Sequence, residues 1–338
     1  MEVCGTHTMS IAKYGLRNFF KNTELVSGPG CPVCVTPSNM LEACVELAKK
    51  KNVIVTSFGD MLRVPAITSS LEKELSRGAD VRVVYSVYEP LKIALENPDK
   101  EVVFAGAGFE TTAPLAAALI IEAYRKKAKN LTLFSMFKSV FPALDIIAAS
   151  KDLKIDGFLL PGNVASITGK KAFSYIAQKY KIPCVIAGFS ETEIVNAVNK
   201  LSDLIGEKKN VVENEYEAVV SDEGNLKARR LLEDVFDLKD EEWRGFGKIA
   251  KSGFALKEKF AAFDAERKFA VKPLKAASAK GVKDACRCGD IMKGKITPRQ
   301  CRLFGKKCVP ENPVGPCMVS SEGVCAAYYK YGRVKSEE

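Results

Sequence analysis

Residues 101–124 read EVVFAGAGFETTAPLAAALIIEAY. Glu101–Ala105 is a short apolar run rich in valine and phenylalanine, the composition of a buried strand. A turn containing glycine follows, and then Ala113–Tyr124 places apolar residues at helical spacing. Strand, tight turn and helix in that order make a βα unit, and the pattern recurs on both sides. Further candidate strands are Asn52–Ser57, Val81–Tyr85, Leu131–Phe134, Gly157–Leu160 and Pro183–Ala187. Helical patterns cover Met40–Lys49, where Met40, Leu41, Cys44, Val45 and Leu47 share a face, and Tyr88–Leu95. Alternating strands and helices imply parallel sheets, and near-continuous apolar strands imply sheets covered on both faces. The expected fold is α/β, with two doubly wound parallel-sheet domains followed by a smaller cysteine-rich C-terminal domain. The turn-rich string Glu96-Asn97-Pro98-Asp99-Lys100 suggests a break. It gives a first domain over 1–97, a second over 98–205, and a mixed helical and cysteine-rich region over 206–338. A lysine-, alanine- and serine-rich linker beyond Phe269 precedes the tail.

Composition narrows the function classes. The chain has 338 residues, 47% of them hydrophobic, which suits a soluble globular protein with real cores. The longest apolar run, APLAAALII at 113–121, is too short to span a bilayer. The first ten residues are polar and small, unlike a secretory leader, so a cytoplasmic location is expected. The net charge of +10 comes from scattered lysines. A nucleic-acid groove would interleave basic and aromatic residues on one face, so neither nucleic acid nor membrane is expected as a partner.

The cysteines carry the chemistry. Six of the eleven lie in the tail: Cys286, Cys288, Cys301, Cys308, Cys317 and Cys325. In a reducing compartment, clustered cysteines more often hold metal or do redox chemistry than form disulfides. With His7 the only histidine, a metal must be held mainly by sulfur, which points to iron–sulfur or zinc. At the front, Ser27-Gly28-Pro29-Gly30-Cys31-Pro32-Val33-Cys34 sets a Cys-x-x-Cys pair behind a Gly-Pro-Gly turn. That spacing suits either a dithiol/disulfide couple or a shared metal. Earlier still, Cys4-Gly5-Thr6-His7 places a thiol in a tight turn, with an imidazole three residues on that could lower its pKa or donate to a ligand. A buried cysteine and a surface histidine is the plainer alternative. In open parallel sheets, ligands sit at the carboxyl ends of strands. Gly59-Asp60, the loop holding Glu110, and Pro161-Gly162-Asn163 each follow a candidate strand.

Taken together, Cys4-Gly5-Thr6-His7-Thr8, Gly28-Pro29-Gly30-Cys31-Pro32-Val33-Cys34, Gly108-Phe109-Glu110-Thr111-Thr112, Pro310-Glu311-Asn312-Pro313-Val314-Gly315 and Ser320-Ser321-Glu322-Gly323 closely resemble the HypD family of [NiFe] hydrogenase maturation factors. The resemblance covers essentially the whole chain. It implies two α/β domains plus an iron–sulfur domain, and a scaffold on which the Fe(CN)2CO unit is assembled with a HypC-like chaperone and a HypE-like cyanide donor. It implies that Cys4 binds the iron under assembly, and that Cys31 and Cys34 are a redox-active pair or help hold that iron. The family's Cys-x14-Cys-x6-Cys-x16-Cys spacing falls on Cys286, Cys301, Cys308 and Cys325, four thiolates for a [4Fe–4S] cluster. Cys288 is the alternative to Cys286, and Cys317 is left as a spare thiol. The family usually carries histidines where this chain has Met9 and Asn163, and a helix before its Cys-Gly-Thr-His string.

This resemblance implies a division of labour. Transfer of cyanide from a thiocyanate requires reductive S–C cleavage, hence electrons. The tail cluster could store one electron, and Cys31–Cys34 could relay a pair. Glu110 could hydrogen-bond near the iron ligands or serve as a structural acid. An iron–sulfur-dependent thiol–disulfide oxidoreductase using Cys31–Cys34 is the alternative. A zinc ribbon is disfavoured because its knuckles are paired Cys-x-x-Cys units.

Overall fold

The computed structural model describes residues 1–152, 154–271 and 285–332. Most of the lysine- and alanine-rich stretch expected as a linker lies outside the described residues. The chain divides into two compact units, each assembled from separated segments. Unit 1 comprises 1–34, 140–226 and 285–338, and unit 2 comprises 35–139 and 227–284.

Unit 2 is built on four parallel strands: β1 (Val53–Ser57), β2 (Val81–Val83), β3 (Glu101–Gly108) and β4 (Leu131–Phe137), in the order β2-β1-β3-β4. Val53 pairs with Glu101, and Val102 with Leu131. All seven residues of β4 are buried, as are all of β3 after Glu101, which accounts for their unbroken apolar sequence. The helix Ala113–Lys126 has Pro114 in its first turn, where proline's missing N–H costs nothing, and ends at Lys127 in the left-handed region (φ 54°). Its inner face, including Ala116, Leu119, Ile120 and Ala123, packs with Phe104, Leu133 and Phe137 in one core.

The boundary expected at 97/98 runs through this sheet. The segment 97–100 is the tight return of a βαβ crossover rather than a hinge. Asn130 Nδ2 staples it by donating to the carbonyls of Ala94, Asn97 and Lys100 at 2.8–3.1 Å. The region after Leu226 also differs from the expected helical mixture. The helix Leu226–Val235 leads into an antiparallel hairpin, β8 (Phe236–Trp243) and β9 (Gly247–Leu256), turned at Gly245 with φ 81°. Five of the six residues between Phe236 and Trp243 are charged and the sixth, Leu238, is exposed, which hides the strand from a hydrophobicity reading.

Unit 1 contains the parallel strands β5 (Phe158–Pro161), β6 (Cys184–Ala187) and β7 (Val212–Asn214). Two short extended segments continue this sheet past β5. Glu2 bridges Leu159 in parallel and, on its other side, bridges Ser27 in parallel. The hydrogen bonds Val3 N–H to Leu159 O (3.2 Å) and Glu2 N–H to Val26 O (2.9 Å) complete the ladder. The chain start and the Val26–Ser27 segment therefore end at the carboxyl edge of a sheet whose strands lie more than a hundred residues away. The helix Glu191–Gly206, opened by a Ser190/Glu193 capping box, covers β6 with Ile194, Ala197, Val198 and Leu201. Residues 285–332 group with unit 1 instead of standing as a third unit; the helix Val324–Tyr331 packs on the helix Gly5–Lys13. The α/β architecture with parallel sheets is as expected; the two domains do not follow one another along the chain.

Candidate functional site

The front thiols stand where two neighbouring extended segments leave the sheet. Cys4 is the N-cap of the helix Gly5–Lys13 and is 8% exposed. The parallel segment reaches it through Gly28 N–H to Glu2 O (2.7 Å) and Gly5 N–H to Gly30 O (2.9 Å). The backbones come so close that a Cβ on Gly30 would stand 2.4 Å from Cys4 N and Cα. Only glycine fits there, and it sets Cys31 one residue beyond the contact. Pro32 then opens a short helical turn in which Cys31 Sγ accepts the Cys34 amide at 3.3 Å.

Beneath this turn a buried ion pair locks the segments together. Glu2 Oε1 accepts from Arg17 Nη2 and from Ser27 Oγ (2.7 Å), and Arg17 Nη2 also reaches Ser27 Oγ (2.9 Å). Burial alone would raise the Glu2 carboxyl; the Arg17 charge and the Ser27 hydroxyl outweigh it and hold the group below its usual range.

Burial pushes the Cys4 thiol up to about 11, aided by the negative charge of Glu322. The amides of His7 and Thr6 in the first helical turn act the other way, favouring a thiolate at the helix N-terminus. Glu322 is held beside the turn by Thr6 Oγ1 (2.7 Å), and a Cβ on Gly5 would sit 2.5 Å from Glu322 Cβ. Glu322 and Thr6 lay within recognised strings but were not singled out in the sequence. The pairing joins positions 316 residues apart, and no local pattern announces it.

His7 is fully buried. Its Nε2 lies 2.9 Å from Gly188 O and 3.3 Å from Ala187 O, just beyond β6, and its ring packs on Phe189 at 4.7 Å. Carbonyl acceptors require the Nε2–H tautomer, which leaves Nδ1 as a buried lone pair with no hydrogen-bond partner among the described residues. Burial lowers the pKa of the ring, so His7 is neutral. It anchors the Cys4 helix to the sheet and does not present a cation to the thiol.

The six tail cysteines face one hollow, together with Ile291, Leu303, Phe304 and Met318. Gly315 allows the convergence, because a Cβ there would lie 2.7 Å from Cys286 Sγ. Cys308 Sγ accepts the Val314 amide at 3.4 Å. Burial raises the Cys325 thiol well above its ordinary value, and Cys286, Cys288, Cys308 and Cys301 add to the rise. Cys317 differs, because hydrogen bonding by Cys288 and Cys34 lowers it. Cys34 is raised by burial and by its neighbours Cys31 and Cys317. A line of sulfur therefore runs Cys31–Cys34–Cys317–Cys288 from the front pair into the tail hollow. Among the described residues no two cysteines are joined in a disulfide. Among the described residues no group of three or more His, Cys, Asp or Glu side chains is arranged to hold a metal ion. The donor chemistry of the hollow is nonetheless sulfur alone, the set that suits iron–sulfur clusters.

The structure thus brings Cys4, His7, Cys31, Cys34, Cys286, Cys301, Cys308 and Cys325 into unit 1. Glu110 lies in unit 2, buried just beyond β3 and ahead of the helix Ala113–Lys126. Asn163 is exposed in the first turn after β5.

Comparison with known proteins decides the family. The family model HypD, described as the hydrogenase formation hypA family, matches residues 1–332. The chain belongs to the HypD family. It is 43% identical to the hydrogenase maturation factor HypD of Azotobacter vinelandii, over 98% of this chain and 89% of that protein. It is 42% identical to HypD of Escherichia coli, over 100% and 90%. It is 41% identical to HypD2 of Bradyrhizobium diazoefficiens, again over 100% and 90%. Among the described residues of this HypD-family chain, no helix is long and apolar enough to cross a membrane.

Proposed function

We propose that this HypD-family maturation factor is the scaffold on which the Fe(CN)2CO unit of a [NiFe] hydrogenase is assembled. Its partners in this reading are a HypC-like chaperone and a HypE-like cyanide donor. The observation that carries the proposal is the meeting of the front and tail thiols in one unit, joined by the line Cys31–Cys34–Cys317–Cys288.

Cys4 is the anchor for the incoming iron. Its thiol is protonated at neutral pH, so loading releases a proton from Cys4 Sγ. Glu322, whose charge opposes the thiolate, is kept beside Cys4 by the Thr6 bond, so the positive charge of the arriving metal must outweigh it as the proton leaves. The amides of Thr6 and His7 then stabilise the sulfur. His7 keeps the helix start in register with β6. Cys286, Cys301, Cys308 and Cys325 are the residues that would hold a [4Fe–4S] cluster, which when bound supplies single electrons. Cys31 and Cys34 form a dithiol whose oxidation to a disulfide yields two electrons and two protons. Burial of Cys34 favours the thiol form and keeps the pair inert until a partner exposes it.

The test is Cys4→Ala, purified without oxygen and mixed with the two partners. The infrared bands of iron-bound cyanide and carbon monoxide should be lost, while iron and acid-labile sulfide stay at wild-type levels. A variant that still supports active hydrogenase removes Cys4 as the anchor. The sulfur line also favours a second reading, a thiol–disulfide oxidoreductase. In that reading the chain reduces an unrelated disulfide with neither partner present, and Cys4→Ala leaves that rate unchanged.

A further inference from the structure

Unit 2 carries an apolar groove whose lining contains no cysteine. The helices Glu89–Glu96, Ala113–Lys126 and Leu226–Val235 line it, and its floor and walls are Tyr88, Leu91, Leu95, Leu115, Ile121 and Leu231. Tyr88, Leu95 and Leu115 are each 50% exposed. Isolated exposed apolar side chains are ordinary, but a contiguous set with charged edges marks an interaction surface. Tyr88, Leu91 and Leu95 fall at i, i+3 and i+7, and Leu115, Ala118 and Glu122 repeat that spacing on the neighbouring helix. Two outward stripes at helical periodicity suit a third helix laid between them.

The rim gives the sign of the occupant. Lys92 pairs with Glu96 at 3.9 Å, and Lys126 with Glu122 at 3.6 Å, so these four charges cancel. Arg125 and Lys227 line the groove and form no ion pair among the described residues. The balance is positive. A second copy of this chain docking by two-fold symmetry would set that cationic rim against itself. A free anion would gain nothing from the apolar floor. We infer that the groove docks an amphipathic helix of a partner protein, with apolar residues at i, i+3, i+4 and i+7 and acidic residues along both flanks.

The test uses the full chain and fluorescent synthetic peptides about five turns long. One peptide carries a leucine stripe flanked by glutamates, a second carries the same stripe flanked by lysines, and a third is a scrambled control. By anisotropy, the glutamate peptide should bind about tenfold or more tighter than the lysine peptide. Leu115→Ser and Arg125→Glu should each weaken it by about tenfold. Both side chains are exposed, and unchanged thermal unfolding of the two variants guards against loss of fold. Equal binding of the acidic and basic peptides, no binding of either, or binding unaffected by both variants overturns the inference. So does a dimer in sedimentation that Leu115→Ser converts to monomer.

Discussion

Gly30→Ala tests the front turn with a single methyl group. The added Cβ would stand 2.4 Å from Cys4 N and Cα and 2.5 Å from its carbonyl carbon. All three are backbone atoms, so no side-chain rotation relieves the overlap. Ordinary contact begins at 3.4 Å, so the two segments must part by about 1 Å, and the 2.9 Å bond from Gly5 N–H to Gly30 O stretches with them. Overpacking of this kind costs about 1–3 kcal/mol. In a unit of this size each kcal/mol lowers the melting temperature by about 2–4 °C, giving a fall of roughly 2–12 °C. Gly206→Ala is the matched control. It makes the same chemical change at a helix end with nothing within 4 Å, where alanine should raise stability by up to about 1 kcal/mol. Calorimetry of both variants reads the sign. Peptide-level alkylation of Cys4 reads the displacement, with Gly30→Ala labelling faster than wild type. A Gly30→Ala protein that melts with wild type, labels Cys4 at the wild-type rate and still matures a hydrogenase refutes the close-approach argument.

Three further outcomes follow from the geometry. Lys138 is fully buried, donates to Glu242 O at 2.9 Å, and is pushed by burial down to about 8. The unfolded chain, with a lysine near its ordinary value, therefore binds more protons between pH 8 and about 10.5, so this group's contribution to stability rises with pH across that window, by about 3 kcal/mol in total. Lys138→Met should lack the rise, so that urea-unfolding curves of the two proteins diverge between those pH values; parallel curves sink the assignment. Glu322→Gln removes the charge opposing the Cys4 thiolate, so the pH midpoint for Cys4 alkylation should fall below the wild-type value, and an unchanged midpoint shows that Glu322 does not act on the thiol. Cys286→Ser should lose the iron and acid-labile sulfide of the anaerobically purified protein while Cys288→Ser, whose sulfur faces Cys317, keeps them; the reverse pattern exchanges the two roles.

Much of unit 2 was readable in advance because its buried strands announce themselves. Val53–Ser57, Glu101–Gly108 and Leu131–Phe137 are buried on both faces and mostly apolar, and each precedes a helical pattern. The β8–β9 hairpin was not readable, because DLKDEE faces solvent on one side and carries no hydrophobic alternation. The sheet segments at Met1–Val3 and Val26–Ser27 were beyond reach for another reason. They are too short to show a period, and their partner Leu159 is set by tertiary packing. The cysteines could be picked out from residue type and spacing alone. The pairing of Cys288 with Cys317, and the approach of Glu322 to the Cys4 turn, depend on where residues 285–332 dock, which no local pattern encodes.

The three-part composition of unit 1 has a consequence for synthesis. A growing chain presents Cys4, Cys31 and Cys34 first, yet the strand that orders them, Phe158–Pro161, follows more than a hundred residues later. Cys317 and Glu322, in the third segment of unit 1, follow later still. Unit 2 has its four parallel strands in one continuous stretch and can fold while the front thiols still wait for partners. The Cys4 turn is therefore completed only after residue 322 has been made. A nascent chain would offer loose thiols to any metal at hand; the finished protein holds them in a fixed turn beside a carboxylate. A chain ending before Glu322 would fold its second unit while leaving the Cys4 turn without its neighbouring carboxylate.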